Sequence, residues 1–228
     1  MTPRQFLDAH PLLKHLSPTE ATALVRQSVV KSFAARSTVF LRGDVGDGVY
    51  GVLSGSVSVT VQSAGGGDLI LRLLESGELF GELAVLDNQG RTASVVARTP
   101  CTLLFIPRTT FLRVLARHPE VAAEVVPILA GYLRRNTRLV SEAAFLDVTG
   151  RLAKQLLELS GGRHAGEKHC STIQVSQYEL ACMLGVSREI VNRHLTEWRR
   201  RGLVEMSRGR IRVVDSGAIL ELVQESMR

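Results

Sequence analysis

Glu82 and Arg91 flank a turn in the segment Gly77-Glu78-Leu79-Phe80-Gly81-Glu82-Leu83-Ala84-Val85-Leu86, which is followed by Asp87 to Gly90 and then Arg91-Thr92-Ala93-Ser94. The chemistry these residues suit is the binding of an anion. Gly81 carries no side chain and lets a backbone approach a ligand, a short helix begun at Glu82 aims free N–H groups at a negative group, and Arg91 adds a fixed charged fork. Taken by themselves, Glu82 and Arg91 equally suit a structural ion pair.

A second concentration of chemistry lies between positions 188 and 212, where eight Arg face three Glu, a net +5 out of +6 for the whole chain. Helical spacing puts Arg188, Glu189, Asn192 and Arg193 on one face and turns Ile190, Val191 and Leu195 toward a core. An Arg fork bonds both acceptors of a guanine in the major groove and Glu accepts from a cytosine amino group, so this face suits base reading; the alternative is a solvated face laced with ion pairs. Beyond it, Leu203-Val204-Glu205-Met206 and Ile211-Arg212-Val213-Val214 flank Ser207-Arg208-Gly209-Arg210, which predicts a hairpin wing whose Arg208 and Arg210 contact phosphates.

These groups need elements to hold them. In the first half, Val57, Val59 and Val61 alternate with Ser56, Ser58 and Thr60, predicting a strand with one apolar face inward, and turn signals recur around it at Gly46-Asp47-Gly48, Ser54-Gly55, Gly65-Gly66-Gly67-Asp68 and Asn88-Gln89-Gly90. Short strands at that spacing predict a sandwich or barrel. From Pro119 the period changes: Val126, Leu129, Leu133, Asn136, Val140 and Ala143 recur in steps of three and four along a helix of some 25 residues. This is either a coiled-coil seam, with Asn136 setting register, or a stripe that packs on the β domain. Pro127 predicts a kink within it. The helix should stop near Phe145-Leu146-Asp147, Asp147 capping the next helix from about Val148 to Leu159, before an exposed loop at Gly161 to Gly166.

Ser176-Gln177-Tyr178-Glu179 is a capping box that opens a helix ending at Gly185, and Ser187 caps a second helix from Arg188 to about Arg201. Helix, tight Gly-containing turn and helix make a helix-turn-helix. Gln177, Ala181 and Gly185 fall at every fourth position, where small residues allow close crossing.

The chain has 228 residues, 45% of them hydrophobic and 22% charged, a globular composition. It contains no run of about 18 apolar residues and its start lacks a secretory core, so no membrane partner and a cytoplasmic location are expected. Three cysteines, Cys101, Cys170 and Cys182, are too scattered for a disulfide framework, and His164, His169 and Cys170 fall short of a zinc signature, so no metal is expected. Hydrolysis of a nucleotide would need a metal or general-base cluster, and none is legible, which argues against an enzyme.

The Gly77–Ser94 segment closely resembles the phosphate-binding cassette of the cyclic-AMP receptor protein and fumarate-nitrate regulator (CRP/FNR) family of bacterial transcription factors. Phe145-Leu146-Asp147-Val148-Thr149-Gly150-Arg151 and Gly185-Val186-Ser187-Arg188-Glu189 extend the resemblance, in the right order, over nearly the whole chain. It implies an α+β fold: an N-terminal cyclic-nucleotide-binding β-roll (jelly roll) over 1–117, a long dimerisation helix and hinge over 118–146, and a C-terminal winged helix-turn-helix DNA-binding domain over 147–228. It implies that Glu82 accepts a ribose 2′-hydroxyl, that Arg91 and Thr92 hold the phosphate, that Gly81 and Leu83 offer backbone contacts, and that Asn136 and Thr137 reach the purine, the second from the partner subunit. The implied effector is cyclic AMP, with cyclic di-GMP or another small effector as the alternative. The implied partners are a second copy of the chain, double-stranded DNA with T-G-T-G-A-like half-sites read by Arg188, Glu189 and Arg193, with Ser187 and Asn192 also at the DNA, and RNA polymerase, with the loop from Ser160 to Cys170 as a contact. No cysteine precedes Cys101, which disfavours the iron–sulfur branch, and haem has no support either. His194, at a position usually apolar in the motif, reads as a neutral, partly buried histidine or else as a pH sensor.

Overall fold

The computed structural model describes residues 1–62, 67–161 and 172–226. Contacts divide it into two units, Met1–Val61 with Ile70–Tyr132, and Gln62–Leu69 with Leu133–Arg228.

In the first unit, helices α1 (Pro3–Ala9) and α2 (Pro18–Gln27) each open on a capping box with Pro in the first turn. They precede strands β1 (Val29–Phe33), β2 (Thr38–Phe40), β3 (Gly48–Ser54), β4 (Ser56–Gln62), β5 (Asp68–Glu75) and β6 (Leu79–Phe80). Helix α3 (Glu82–Leu86), strands β7 (Ser94–Ala97) and β8 (Cys101–Pro107), helix α4 (Arg108–Arg117) and the long α5 (Pro119–Phe145) follow. The strands form two four-stranded sheets, β1-β8-β3-β6 and β2-β7-β4-β5. Residues from both sheets, among them Tyr50, Val52, Val57, Val95 and Leu103, fill one core between them. On the other face of the first sheet, Val49, Leu53, Leu104 and Ile106 pack with Phe6, Phe111, Val121 and Val125 from the helices. A sheet covered on both sides explains why β3 is buried along nearly its whole length. Gly51 makes the helical cover possible, since a Cβ there would lie 2.4 Å from the Phe6 ring.

The expected one-sided burial of β4 is corrected. Val57 is fully buried, but Val59 and Val61 are only half-buried, whereas Ser56, Ser58 and Thr60 on the alternate positions are buried. The strand lies inside its sheet, between β7 and β5, and its hydroxyls find partners there: Ser58 Oγ donates to the Val96 carbonyl at 3.3 Å.

Helix α5 continues through Pro127. Its residues Val121, Val125, Ile128 and Leu129 pack on the helical core, while Val126, Leu133 and Val140, seven apart, stand 66%, 68% and 70% exposed. The helix therefore carries two apolar stripes, of which only one is covered among the described residues.

The second unit holds α6 (Val148–Leu159), β9 (Thr172–Ile173), α7 (Gln177–Leu184), α8 (Arg188–Arg200), β10 (Val204–Ser207), β11 (Arg210–Val213) and α9 (Ser216–Glu225). Its sheet has the order β10-β11-β9, and one core joins Leu152 and Leu156 to Leu180, Val191, Leu195, Trp198, Ile211 and Ile219. Cys101 and Cys182, one in each unit, are free and buried, and burial pushes both thiols up. The Gly-rich loop beyond Gly161, with His164, His169, Cys170 and the expected polymerase contact, lies outside the described residues, as does the turn at Gly65-Gly66.

Trp198 is the largest fully buried side chain of the second unit. Trp198→Ala should lower the unfolding free energy by about 3–5 kcal/mol. Guanidinium denaturation followed by far-ultraviolet circular dichroism measures it, and a loss below about 1 kcal/mol would show that the helices do not pack around this ring.

Candidate functional site

The chain leaves β6 through Gly81, whose φ of 83° is left-handed, and turns at once into α3. This conformation suits Gly. Five residues are too few for α3 to gather much of a helix dipole, so any anion here depends on individual donors. The principal donor is Arg91, which is 3% exposed. Its Nη1 donates to the Gly81 carbonyl at 2.7 Å, and its Nη2 to Asp47 Oδ1 and the Gly48 carbonyl, both at 2.8 Å. The guanidinium lies 4.2 Å from the centre of the Phe40 ring, in an aromatic wall in which Tyr50 and Phe80 stack at 5.4 Å. Around it, Gly43 N donates to the Arg91 carbonyl and Arg91 N to the Asp44 carbonyl, at 2.8 and 2.9 Å. The carboxylate that pairs with Arg91 is thus Asp47; the structural ion pair between Glu82 and Arg91 does not form.

Glu82 is 4% exposed and its Oε2 has no hydrogen-bond partner. Burial raises its pKa, against opposing effects of its own backbone N–H, Tyr132, Arg72 and Arg91. Burial, together with the charge of Glu82, pushes the pKa of Tyr132 on α5 up to about 12, so near neutrality its hydroxyl keeps its proton. The Arg72 guanidinium sits 4.9 Å from the centre of the Tyr132 ring while its Nη2 pairs with Glu78 at 3.1 Å. Arg91 Nε is the second buried polar atom of this cluster without a partner.

Of the sequence-predicted residues, Gly81, Glu82 and Arg91 come together here, Leu83 is half-buried on α3, and Thr92 follows Arg91 on the surface. Asn136 and Thr137 are exposed on the stretch of α5 that belongs to the other unit. Sequence reasoning missed Asp47, Phe40, Arg72 and Tyr132. Asp47 stood in view as part of a turn signal; Tyr132, four residues before Asn136, was accessible from helical spacing.

An unmet carboxylate oxygen calls for a donor, and an unmet guanidinium N–H calls for an acceptor. A ligand carrying both a hydroxyl and an anionic oxygen fits the pair, so the chemistry of the residues present agrees with the phosphate and ribose of a nucleotide.

In the second unit, Ser176 and Glu179 satisfy each other's backbone N–H groups at 3.1 and 2.7 Å, α7 ends on left-handed Gly185, and Ser187 Oγ caps α8 by accepting from Ile190 N. Val191, Leu195 and Trp198 are buried and Ile190 is half-buried. The opposite face presents Arg188, Glu189, Asn192 and Arg193 to solvent, with Ser187 exposed at its start. Asn192 Oδ1 accepts from Gln177 Nε2 at 3.2 Å, which ties the two helices of the motif. Backbone and Ser187 hydrogen bonds hold the Glu189 carboxyl below its usual range, so it is charged near neutrality. Strands β10 and β11 pair from Val204↔Val213 to Ser207↔Arg210, leaving exposed Arg208 and Arg210 at the tip, while Arg212 grips Glu205 through two bonds of 3.0 and 2.6 Å. A groove of about 420 Å³ opens between the wing and the helices, lined by Gln177, Tyr178, Arg188, Met206, Arg208 and Arg210. His194 is half-buried, its ring centre 6.2 Å from that of Trp198.

Among the described residues no helix is long and apolar enough to cross a membrane, and no group of His, Cys, Asp and Glu is placed to hold a metal ion.

Residues 30–118 match the model of the cyclic nucleotide-binding domain, and residues 150–222 that of the Crp-like helix-turn-helix domain. The chain is 30% identical over 207 residues to a CRP-like cAMP-activated global transcriptional regulator of Mycobacterium tuberculosis, covering 90% of this chain and 92% of that one. It is 32% identical over 209 residues to the cAMP-activated global transcriptional regulator Vfr of Pseudomonas aeruginosa, covering 90% and 95%. Among solved structures it resembles the c-di-GMP responsive global regulator CLP of Xanthomonas campestris, with a TM-score of 0.74, 28% identity and coverage of 87% and 100%.

A Cβ at Gly81 would lie 2.6 Å from Arg91 Nη1, on a backbone that disfavours any side chain. Gly81→Ala should therefore cost about 1–2 kcal/mol in left-handed strain alone and displace the Arg91 fork. Urea unfolding of the variant checks this, and a midpoint equal to that of the unaltered protein would contradict it.

Proposed function

Because the chain belongs to the CRP/FNR family, whose members are ligand-responsive DNA-binding transcription regulators rather than enzymes, we propose that it is a homodimeric regulator switched by cyclic AMP. The observation that carries the effector is the pair of unmet buried atoms, Glu82 Oε2 and Arg91 Nε. In this reading Glu82 accepts the ribose 2′-hydroxyl, Arg91 and Thr92 hold the cyclic phosphate, and Gly81 and Leu83 offer backbone contacts. Asn136 and the partner subunit's Thr137 reach the purine. Residues 1–117 act as the nucleotide domain, 118–146 as dimerisation helix and hinge, and 147–228 as the DNA-binding domain.

The open stripe of Val126, Leu133 and Val140 supports the dimer, because water-exposed apolar side chains at seven-residue spacing are relieved by a second helix of the same pattern. Ligand seated where two copies meet favours one pairing of the helices by its differential affinity for the two states. On DNA, Arg188, Glu189 and Arg193 read bases of an inverted repeat with T-G-T-G-A-like half-sites, Ser187 and Asn192 flank them, and Arg208 and Arg210 reach phosphates. RNA polymerase is the further partner that family membership supports.

A second reading keeps the fold and changes the effector to cyclic di-GMP, in keeping with the responsiveness named for the Xanthomonas relative. Calorimetric titration of the purified protein with each nucleotide separates the two.

A gel shift on a palindromic T-G-T-G-A pair should tighten on addition of cyclic AMP, and identical retardation with and without it would refute the switch. Arg91→Ala should abolish that response and weaken cyclic AMP binding by about 100-fold or more, the loss expected when a charged, partly desolvated phosphate contact is removed. Since Arg91 also clamps Asp47 and Gly81, binding is measured where circular dichroism shows the variant folded; unchanged affinity would dismiss the pocket. Arg193→Ala should cost about 1–3 kcal/mol on the cognate site and relax discrimination at one base pair, whereas uniform weakening on every sequence would make Arg193 a phosphate contact.

A further inference from the structure

Two carboxamides meet between α7 and α8. Gln177 Nε2, in the first turn of α7, donates to Asn192 Oδ1 on α8 at 3.2 Å, and the same nitrogen donates to Met206 Sδ on β10 at 3.9 Å. The two ends of an amide are alike in shape and opposite in chemistry, an oxygen that accepts and an NH2 that donates. A bond between two amides would therefore survive if both groups turned over. The sulfur removes that freedom, because a thioether has no hydrogen to give, and a Gln177 oxygen turned toward it would set lone pair against lone pair. Half-buried Met206 thus fixes Gln177, and Gln177 fixes Asn192 with its oxygen toward α7. Asn192 stands exposed beside Arg193, and its Nδ2 has no hydrogen-bond partner among the described residues.

We infer that Met206 and Gln177 are positioning residues that make Asn192 a donor-only reader of DNA, its Nδ2 directed to an acceptor in the major groove: guanine O6 or N7, or thymine O4. An Asn free to use both ends pairs instead with adenine, through N6 and N7, and holding Oδ1 toward α7 works against that pairing. The inference rests on the second unit being a DNA reader. To the positions read by Arg188, Glu189 and Arg193 it adds one more, with the class of base accepted there. It also gives the wing a part in specificity through a side chain that need not touch the DNA.

The test uses the full chain with cyclic AMP and a library of inverted repeats whose half-sites are randomised. The bound fraction is sequenced, and gel shifts give the affinity for each base at the discriminated positions. One position should favour guanine or thymine over cytosine by about two- to tenfold, the range for a single hydrogen bond, and should lose that preference in Asn192→Ala. Gln177→Glu offers Asn192 only acceptors, so its NH2 should turn to α7 and its oxygen outward. The same position should then favour cytosine or adenine, whose exocyclic amino groups donate. The added negative charge weakens every sequence alike and cancels in the ratio. Combining Gln177→Glu with Asn192→Ala should abolish the inversion; its persistence would mean that the new carboxylate reads the base itself and would overturn the inference. Met206→Leu, close in volume and checked for folding by its melting temperature, should shrink the preference about two- to threefold as both amide orientations become populated. An unchanged base profile in Asn192→Ala or Met206→Leu, or a guanine or thymine preference retained in Gln177→Glu, would equally overturn it. If the unaltered protein enriched no repeat, the DNA reading would fall and this inference with it. If it enriched a repeat whose discrimination depended on Arg193 and not on Asn192, only this inference would fall.

Discussion

A guanidinium shut away from water must be surrounded by acceptors, and that requirement organises the first unit. Arg91 meets it at both Nη atoms, though not at Nε, with groups from separate places along the chain: the Asp47 carboxylate, the Gly48 carbonyl, the Gly81 carbonyl and the face of Phe40. The loop after β2, the start of β3 and the turn between β6 and α3 are thereby held to one planar fork. Removing a charge from water costs several kcal/mol, so the gain is small in net stability and large in definition of shape. The left-handed turn at Gly81 belongs to the same requirement, because a side chain there would occupy the space of the fork itself.

The second unit meets a different constraint. Its apolar demand is satisfied on one side of α8 by Val191, Leu195 and Trp198, so the other side carries charge without disturbing the fold. What must be exact is the entry of each helix. Asp147, Ser176, Ser187 and Asp215 each accept a bond from a backbone N–H in the first turn, fixing where α6, α7, α8 and α9 begin and hence where the exposed Arg and Glu side chains are displayed. The two units thus place chemistry in opposite ways, one by burying a charge among fixed acceptors and the other by leaving charges free on a rigid support.

Local rules made much of this legible. The capping box at Ser176, the stop at Gly185, the cap at Asp147, the extent of α5 and the wing all follow from interactions within a few residues, and each is found where the sequence put it. Contacts between distant segments were not legible. Asp47 displaced Glu82 as the partner of Arg91 because the choice between two carboxylates is made by the folding of a loop 44 residues away. Tyr132 went unnoticed because an aromatic ring on a helix face reads as core, and Arg72, which lies over that ring, comes from a strand 60 residues away in sequence. In β4 the alternation of Val with Ser and Thr was genuine, yet an interior strand buries its hydroxyl face as well, and the pattern alone does not tell an edge from a centre.

The two buried sulfurs, Cys101 and Cys182, also shape how the molecule meets its chemical surroundings. Peroxides and disulfides react with thiolate, and packing that disfavours the ionised form at both positions keeps that species scarce. An oxidative burst would leave these sites largely as it found them.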